Sequence, residues 1–248
     1  MYSEKGEFDI QVCFSPLSWS LFSKSNALVI VADIFRATSA MCAAFHNGVK
    51  DIIPVETIQE SEHYKKQGFI CAGERDGKTL ICADFGNSPY NFMDQSLRGK
   101  TIVMNTTNGT RAIKIASGHE NSIAIGAFVN LSAVCAYAVR LNKPVVILCA
   151  GWKDRFCTED ALFAGAAVEQ IISRSKGLYH TTCDSAIASV ELYNAAKDNL
   201  LGFMDKVAHR HRLRKMGLDD VIDYCITADS TDVVPVLKND RLVTFPGH

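Results

Sequence analysis

The chain has 248 residues, 48% hydrophobic and 21% charged, with a formal net charge of −1. That length builds one large domain or two small ones, and the balanced charge offers no basic footprint for a nucleic-acid backbone, so no nucleic-acid partner is expected. No stretch is long and apolar enough to span a membrane, the opening Met1 to Gly6 carries no apolar signal core, and the nine cysteines lack any Cys-x-x-Cys, so a soluble, cytoplasmic protein with reduced thiols is expected.

In chain order, Phe8 to Phe14 alternates like a half-buried strand, and Ala27 to Ala32 is the continuous apolar run of a central one. Asp33-Ile34-Phe35-Arg36-Ala37-Thr38-Ser39 follows, then a helix from Ala40 closed at Gly48. Asp51 to Val55 predicts a strand, Ile58 to Gln67 a polar helix, and Phe69 to Ala72 a strand running into Gly73-Glu74-Arg75. Gly77 to Pro89 has loop chemistry, with Ser88 set to cap a short helix at Pro89. Thr101 to Met104 predicts a buried strand, and Thr106-Thr107-Asn108-Gly109-Thr110-Arg111 then turns into a helix. There Thr107 or Asn108 is the expected cap, and Gly109 lets a ligand approach the backbone.

Ser122 to Gly126 and Pro144 to Cys149 predict further strands around a helix from Leu131 to Leu141. Glu159-Asp160 falls in the first turn of a helix reaching Arg174. Asp184 to Cys225 reads as helical throughout, with a basic stretch from Lys206 to Lys215 and a break at Gly217; Val233 to Phe245 reads as a hairpin around Asn239-Asp240. Repeats and linkers are absent, so residues 1–248 read as a single unit, with two lobes lacking a clear linker as the alternative, and the alternation predicts a three-layer α/β/α fold. Its sheet is largely parallel or mixed, its C-terminal part is helical, and its ligand site lies beyond the carboxyl ends of the strands.

The clusters that follow the apolar strands supply three arginines, Arg36, Arg75 and Arg111, and four carboxylates, Asp33, Glu74, Glu159 and Asp160. Guanidinium forks match phosphate and sulfonate oxygens, and oxygen-only carboxylates suit magnesium, so a small anionic phosphorylated substrate with a divalent metal is the economical reading. Each cluster also has a structural alternative. Asp33 can cap its own turn, Arg36 can pair with Asp33, Asn87-Ser88 can be turn chemistry, and Glu159-Asp160 suit a helix start on dipole grounds. His209 and His211 lie two apart in the basic stretch and read as a solvated face. Cys149 and Arg155 have the spacing of a Cys-x5-Arg phosphatase loop, but Trp152-Lys153-Asp154 between them does not resemble a phosphate cradle, which favours a buried, inert thiol.

Six of these pieces occur together and in order: Asp33 to Ser39, Ala72 to Arg75, Gly86-Asn87-Ser88-Pro89, Thr106 to Arg111, Cys149-Ala150-Gly151 and Glu159-Asp160. Together they resemble the 2-phosphosulfolactate phosphatases of coenzyme M biosynthesis. The departures are local: Trp152-Lys153-Asp154 fills a loop where the family carries smaller residues, and Cys157 stands in place of a hydroxyl. The likeness weakens after about Arg174.

The resemblance implies a magnesium-dependent acid phosphatase converting (2R)-2-phospho-3-sulfolactate to (2R)-3-sulfolactate and phosphate. On this reading Mg2+ sits at Asp33 with Glu74 or Asp160, and Asp33, Arg36 and Glu159 act in catalysis, Glu159 as the base orienting water. Arg36, Thr38, Arg75, Asn87, Ser88, Thr106, Thr107, Asn108, Gly109, Thr110 and Arg111 are the expected substrate contacts. Direct attack by Asp33 ranks lower, because Phe35 stands where an Asp-x-Asp motif needs its second carboxylate. The alternatives are a phosphatase for another small phosphorylated acid and a non-catalytic anion-binding protein. The helices after Asp184 cover the sheet or a partner subunit, the latter in a homo-oligomer.

Overall fold

The computed structural model describes residues 6–22, 25–118 and 121–245; Met1 to Lys5, on which part of the localisation expectation rests, lie outside them. The strands are β1 (Phe8–Cys13), β2 (Leu28–Ala32), β3 (Asp51–Val55), β4 (Ile70–Arg75), β5 (Lys78–Thr79), β6 (Thr101–Asn105), β7 (Ser122–Gly126), β8 (Val145–Cys149), β9 (Tyr179–His180), β10 (Pro235–Lys238) and β11 (Arg241–Thr244). They form one mixed sheet in the order β5-β4-β6-β3-β11-β10-β7-β2-β8-β1-β9.

β2 and β8 are buried at every residue, which is why their sequences, LVIVA and VVILC, are continuous apolar runs rather than alternating ones. They belong to a parallel block, β7-β2-β8-β1-β9, and a second parallel block holds β3, β6 and β4. The C-terminal hairpin joins the two. β10 is antiparallel to β7, β11 is antiparallel to β3, and the two pair with each other, so the blocks run in opposite senses. The turn has the expected chemistry, with Asn239 and Asp240 both left-handed at φ 50° and 60°. Its position at the centre of the sheet has no local signal.

The helix predicted from Ala40 begins at Ala37 and runs to His46, and it packs on β7. Gly109–Ala116 crosses close by: a Cβ on Gly109 would lie 2.6 Å from Ala37 Cβ and 3.0 Å from Asp33 Oδ2, so the glycine serves close approach as well as the turn. Leu131–Leu141 ends where predicted, with Asn142 left-handed at φ 50°. The segment Asp184 to Cys225 is not continuously helical. It divides into Asp184–Ala196, Leu200–Met204, Ala208–Lys215 and the start of Ile222–Ile226, interrupted around residues 205–207 and 216–221, where Gly217 takes φ +67°. β5, inside the expected loop, and β9 are two-residue strands, too short for a periodic signal.

Candidate active site

One cleft collects side chains from both parallel blocks and from the C-terminal helices. Asp33, Phe35 and Arg36 come from the loop after β2, Glu74 and Gly77 from β4 and its turn, and Asn108 from the loop after β6. Asn87 and Trp152 add to this wall, and Ala208–Lys215 with the residue following it supplies His209, Arg212, Leu213 and Met216.

Asp33 is buried, its backbone N–H donates to Thr38 Oγ1 (3.0 Å), and its Oδ1 accepts weakly from the Ala37 N–H (3.4 Å). Burial pushes its carboxyl up to about 7, with the charges of Glu74 and Glu159 adding to the rise and His209 opposing it. Arg36 is 6% exposed, and burial lowers its guanidinium pKa from the ordinary value. Among the described residues no carboxylate lies within ion-pair distance of it, so Arg36 is not paired with Asp33. Glu74, Asp220 and Asp33 act on it at longer range, and a buried guanidinium at a cleft without a close ion pair is a strong receptor for an oxyanion.

Glu74 is clasped by three donors: the Thr107 N–H to Oε1 (2.7 Å), and the Thr107 hydroxyl (3.0 Å) and Gly77 N–H (2.8 Å) to Oε2. Asn87 is 4% exposed, and its Oδ1 is buried without a hydrogen-bond partner. Arg212 stacks its guanidinium 4.9 Å from the Trp152 ring, and its buried Nε also lacks a partner.

His209 corrects the reading of a solvated face. It is 5% exposed, its ring lies 5.2 Å from Trp152 and 6.0 Å from Phe35, and Nδ1 shares a 2.5 Å hydrogen bond with Glu159 Oε1. Position 209 turns inward with Leu213, four residues on, while His211 faces solvent. That i, i+4 pairing inside an otherwise basic helix is the one signal in the chain that pointed to it.

Several expected site residues are not brought to the cleft. Thr38 closes a ring onto the Asp33 backbone, its hydroxyl donating to Asp33 O (2.9 Å). Thr106 and Thr110 satisfy each other, N–H to Oγ1 in both directions at 3.1 and 3.2 Å, and this replaces the expected cap from Thr107 or Asn108. Asn108 does line the cleft, but its Oδ1 accepts the Lys153 N–H (3.1 Å).

Arg75 turns away to Thr106 O, Glu56 O and Asn105 Oδ1 at 2.7–2.9 Å. Ser88 sits at the N-cap before Pro89 without a side-chain cap bond. Arg111 pairs with Asp154 at 2.7 Å, 42% exposed. Asp160, 2% exposed, accepts the Ile34 N–H at Oδ1 (2.9 Å) and the Gly151 N–H at Oδ2 (3.0 Å), so it ties the loops after β2 and β8 together. Glu159 meets the cleft through His209. Cys149 is 1% exposed and burial raises its thiol well above the ordinary value, whereas Arg155 is exposed, so no Cys-x5-Arg loop forms.

Residues 152–155 form a tight hairpin that brings Trp152 to the cleft. Trp152 and Arg155 exchange backbone hydrogen bonds (3.0 Å each) around Lys153 and Asp154, which are left-handed at φ 50° and 63°. Lys153 pairs with Asp76 at 2.8 Å and Asp154 with Arg111, and these contacts hold Trp152 against His209 and Arg212.

Comparison with known proteins decides what this arrangement belongs to. A family model described as 2-phosphosulpholactate phosphatase matches residues 16–240. The chain belongs to that family. A relative from Caldanaerobacter subterraneus subsp. tengcongensis is 38% identical over 216 residues, covering 85% of this chain and 88% of its own. One from Thermotoga maritima is 35% identical over 210 residues (85% and 88%), and one from Clostridium acetobutylicum 35% over 222 residues (88% and 92%). Each carries the name "probable 2-phosphosulfolactate phosphatase". The family match runs through the C-terminal helices, so the wall that holds His209 and Arg212 lies within the shared region.

Proposed function

We propose that the protein hydrolyses (2R)-2-phospho-3-sulfolactate to (2R)-3-sulfolactate and phosphate with the help of magnesium, in the cytoplasm, as a step toward coenzyme M. The observation that carries the reading is Arg36, a buried guanidinium without an ion-pair partner, facing the same cleft as Asp33 in a chain of phosphatase family.

The cleft suits a divalent cation bound by oxygen. Asp33 and Glu74 both line it, mutual repulsion helps raise Asp33, and Asn87 Oδ1 is a buried acceptor with nothing to accept. Asp33, Glu74 and Asn87 would hold Mg2+, and Asp160, which does not line the cleft, would not. Bound there, the ion would polarise a phosphoryl oxygen and offset developing charge.

The remaining steps belong to the chain's own groups. Arg36 binds the phosphoryl oxygens, and Arg212, braced on Trp152, takes a second anionic group such as the sulfonate. Glu159 holds His209 by Nδ1, which leaves Nε2 to move a proton: the P–O bond breaks as water's oxygen joins phosphorus, the leaving oxygen takes the proton from His209, and the proton that water loses passes to solvent, which restores His209. Glu159 therefore positions the histidine rather than meeting water directly. Trp152, Leu213 and Met216 exclude bulk water.

Side-by-side turnover of phosphosulfolactate, phospholactate and phosphoglycerate with magnesium tests the substrate. We expect the highest kcat/KM for phosphosulfolactate, and a higher value for either of the others moves the protein to a different phosphorylated acid. Single turnover in oxygen-18 water tests the chemistry: label appearing in phosphate supports water attack, whereas label in an enzyme carboxylate replaces it with an aspartyl-phosphate route through Asp33.

A further inference from the structure

Behind the oxygen-lined cleft lies a donor set of different chemistry. Among the described residues, Cys157, Glu159 and His209 bring ligand atoms within 4.8 Å of one another. All three are buried, at 4%, 1% and 5% exposure. Cys157 and Glu159 sit at the start of the helix Thr158–Arg174, and His209 reaches them from Ala208–Lys215.

Two features of this cluster are unexplained by the fold. Glu159 gives Oε1 to His209, but its Oε2 is buried without a hydrogen-bond partner, a state that is costly for a carboxylate oxygen. Cys157 occupies the N-cap position of the helix and makes no side-chain cap bond, so the thiol does not serve the helix end as a hydroxyl would. A cation between the three residues would engage both atoms.

We propose that Cys157, Glu159 and His209 bind a thiophilic divalent transition-metal ion of the zinc class. Sulfur, imidazole nitrogen and carboxylate oxygen are the donors zinc takes in sites with three protein ligands and an open fourth position, whereas magnesium selects oxygen alone. Donor chemistry thus separates this site from the one at Asp33 and Glu74. At metal–ligand bond lengths of about 2.0–2.3 Å the ion draws the three side chains together by small rotamer adjustments. Binding releases the thiol proton to solvent, sends the proton held between His209 and Glu159 to solvent as well, and exchanges that hydrogen bond for two bonds to the metal. The ion would therefore withdraw His209 from proton transfer and inhibit turnover, and this consequence alone rests on the proposed function.

Cobalt(II) added to metal-free protein is the probe, because thiolate ligation produces a near-ultraviolet sulfur-to-cobalt charge-transfer band. We expect a stoichiometric band, bleached by zinc and unchanged by excess magnesium. It should be lost in Cys157→Ser, strongly weakened in His209→Gln, and retained in Cys82→Ser, which removes a thiol away from the site. Circular dichroism establishes that each variant is folded. Should Cys157→Ser fail to fold, loss of the band in His209→Gln carries the test. Absence of the band in the folded wild type, its survival in Cys157→Ser or, in that case, in His209→Gln, or bleaching by magnesium overturns the proposal. None of these readouts depends on which phosphorylated acid the enzyme hydrolyses.

Discussion

The loops after β2, β4 and β6 use most of their polar atoms on one another, whereas the helix Ala208–Lys215 delivers to the opposite wall a histidine and an arginine with few other commitments. On the loop wall, Thr38 braces the Asp33 backbone, Thr106 and Thr110 close on each other, and Glu74 is held by Thr107 and Gly77. Arg36 is the exception there, buried and without an ion-pair partner. On the helical wall, among the described residues, His209 hydrogen-bonds one carboxylate, and Arg212 lies on the Trp152 face with an unpartnered Nε. The contrast teaches that density of polar residues in a motif measures how rigidly a cleft is framed, and that the groups free to meet a ligand are few and drawn from both walls.

The comparison breaks most directly at Asp33. Asp33→Asn should lower kcat by roughly three orders of magnitude, the scale of a lost charged group at a reacting centre. A variant within tenfold of the wild type in steady-state kinetics would place the chemistry elsewhere. Arg36→Lys keeps the charge but not the fork, and should cost about 100-fold in kcat/KM, close to 2.7 kcal/mol.

His209→Gln should lower kcat by about 100-fold, while Arg212→Ala acts mainly on KM. If His209→Gln left kcat unchanged, the helical wall would be packing alone. Arg111→Ala sharpens the contrast from the other side. Its half-exposed pair with Asp154 only steadies the Trp152 hairpin, so activity should fall by less than about tenfold. A loss equal to that of Arg36→Lys would return Arg111 to the cleft.

A separate effect is on stability rather than on turnover. The Asp33 carboxyl lies at about 7 in the folded chain against about 3.9 when unfolded, so between these pH values the native state holds a proton that the unfolded state has released. In metal-free protein this contribution is fully present below about pH 4 and disappears as pH rises through about 7, a loss of roughly 2–4 kcal/mol. Thermal unfolding of Asp33→Asn should fall less across that window than the wild type, and parallel curves would show that Asp33 titrates normally.

Local patterns made much of this readable. The apolar runs of β2 and β8, the polar turns after β2 and β6, the helix Leu131–Leu141 and the hairpin at Asn239-Asp240 each follow from burial periodicity or turn chemistry within a few residues. Burial demand also marked Asp33 and Arg36, because charged groups closing a central apolar strand need a partner or a ligand. Three of the expected site residues are turned from the cleft for one reason. Arg75, Arg111 and Asp160 sit in the right clusters, but a cluster does not say which way each side chain turns, and hydrogen bonds to Glu56, Asp154, Ile34 and Gly151 turned them aside.

By itself, then, the sequence determined the alternating α/β class, the order of strands and helices along the chain, and the loops from which a site would be built, since these depend on contacts between near neighbours. Tertiary structure alone decided that the closing hairpin lies between the two parallel blocks, that His209 reaches Glu159 across 50 residues, and which of the polar side chains face the cleft. Those outcomes depend on which surfaces meet when distant segments pack, and the energy that selects them comes from contacts no short window of sequence contains.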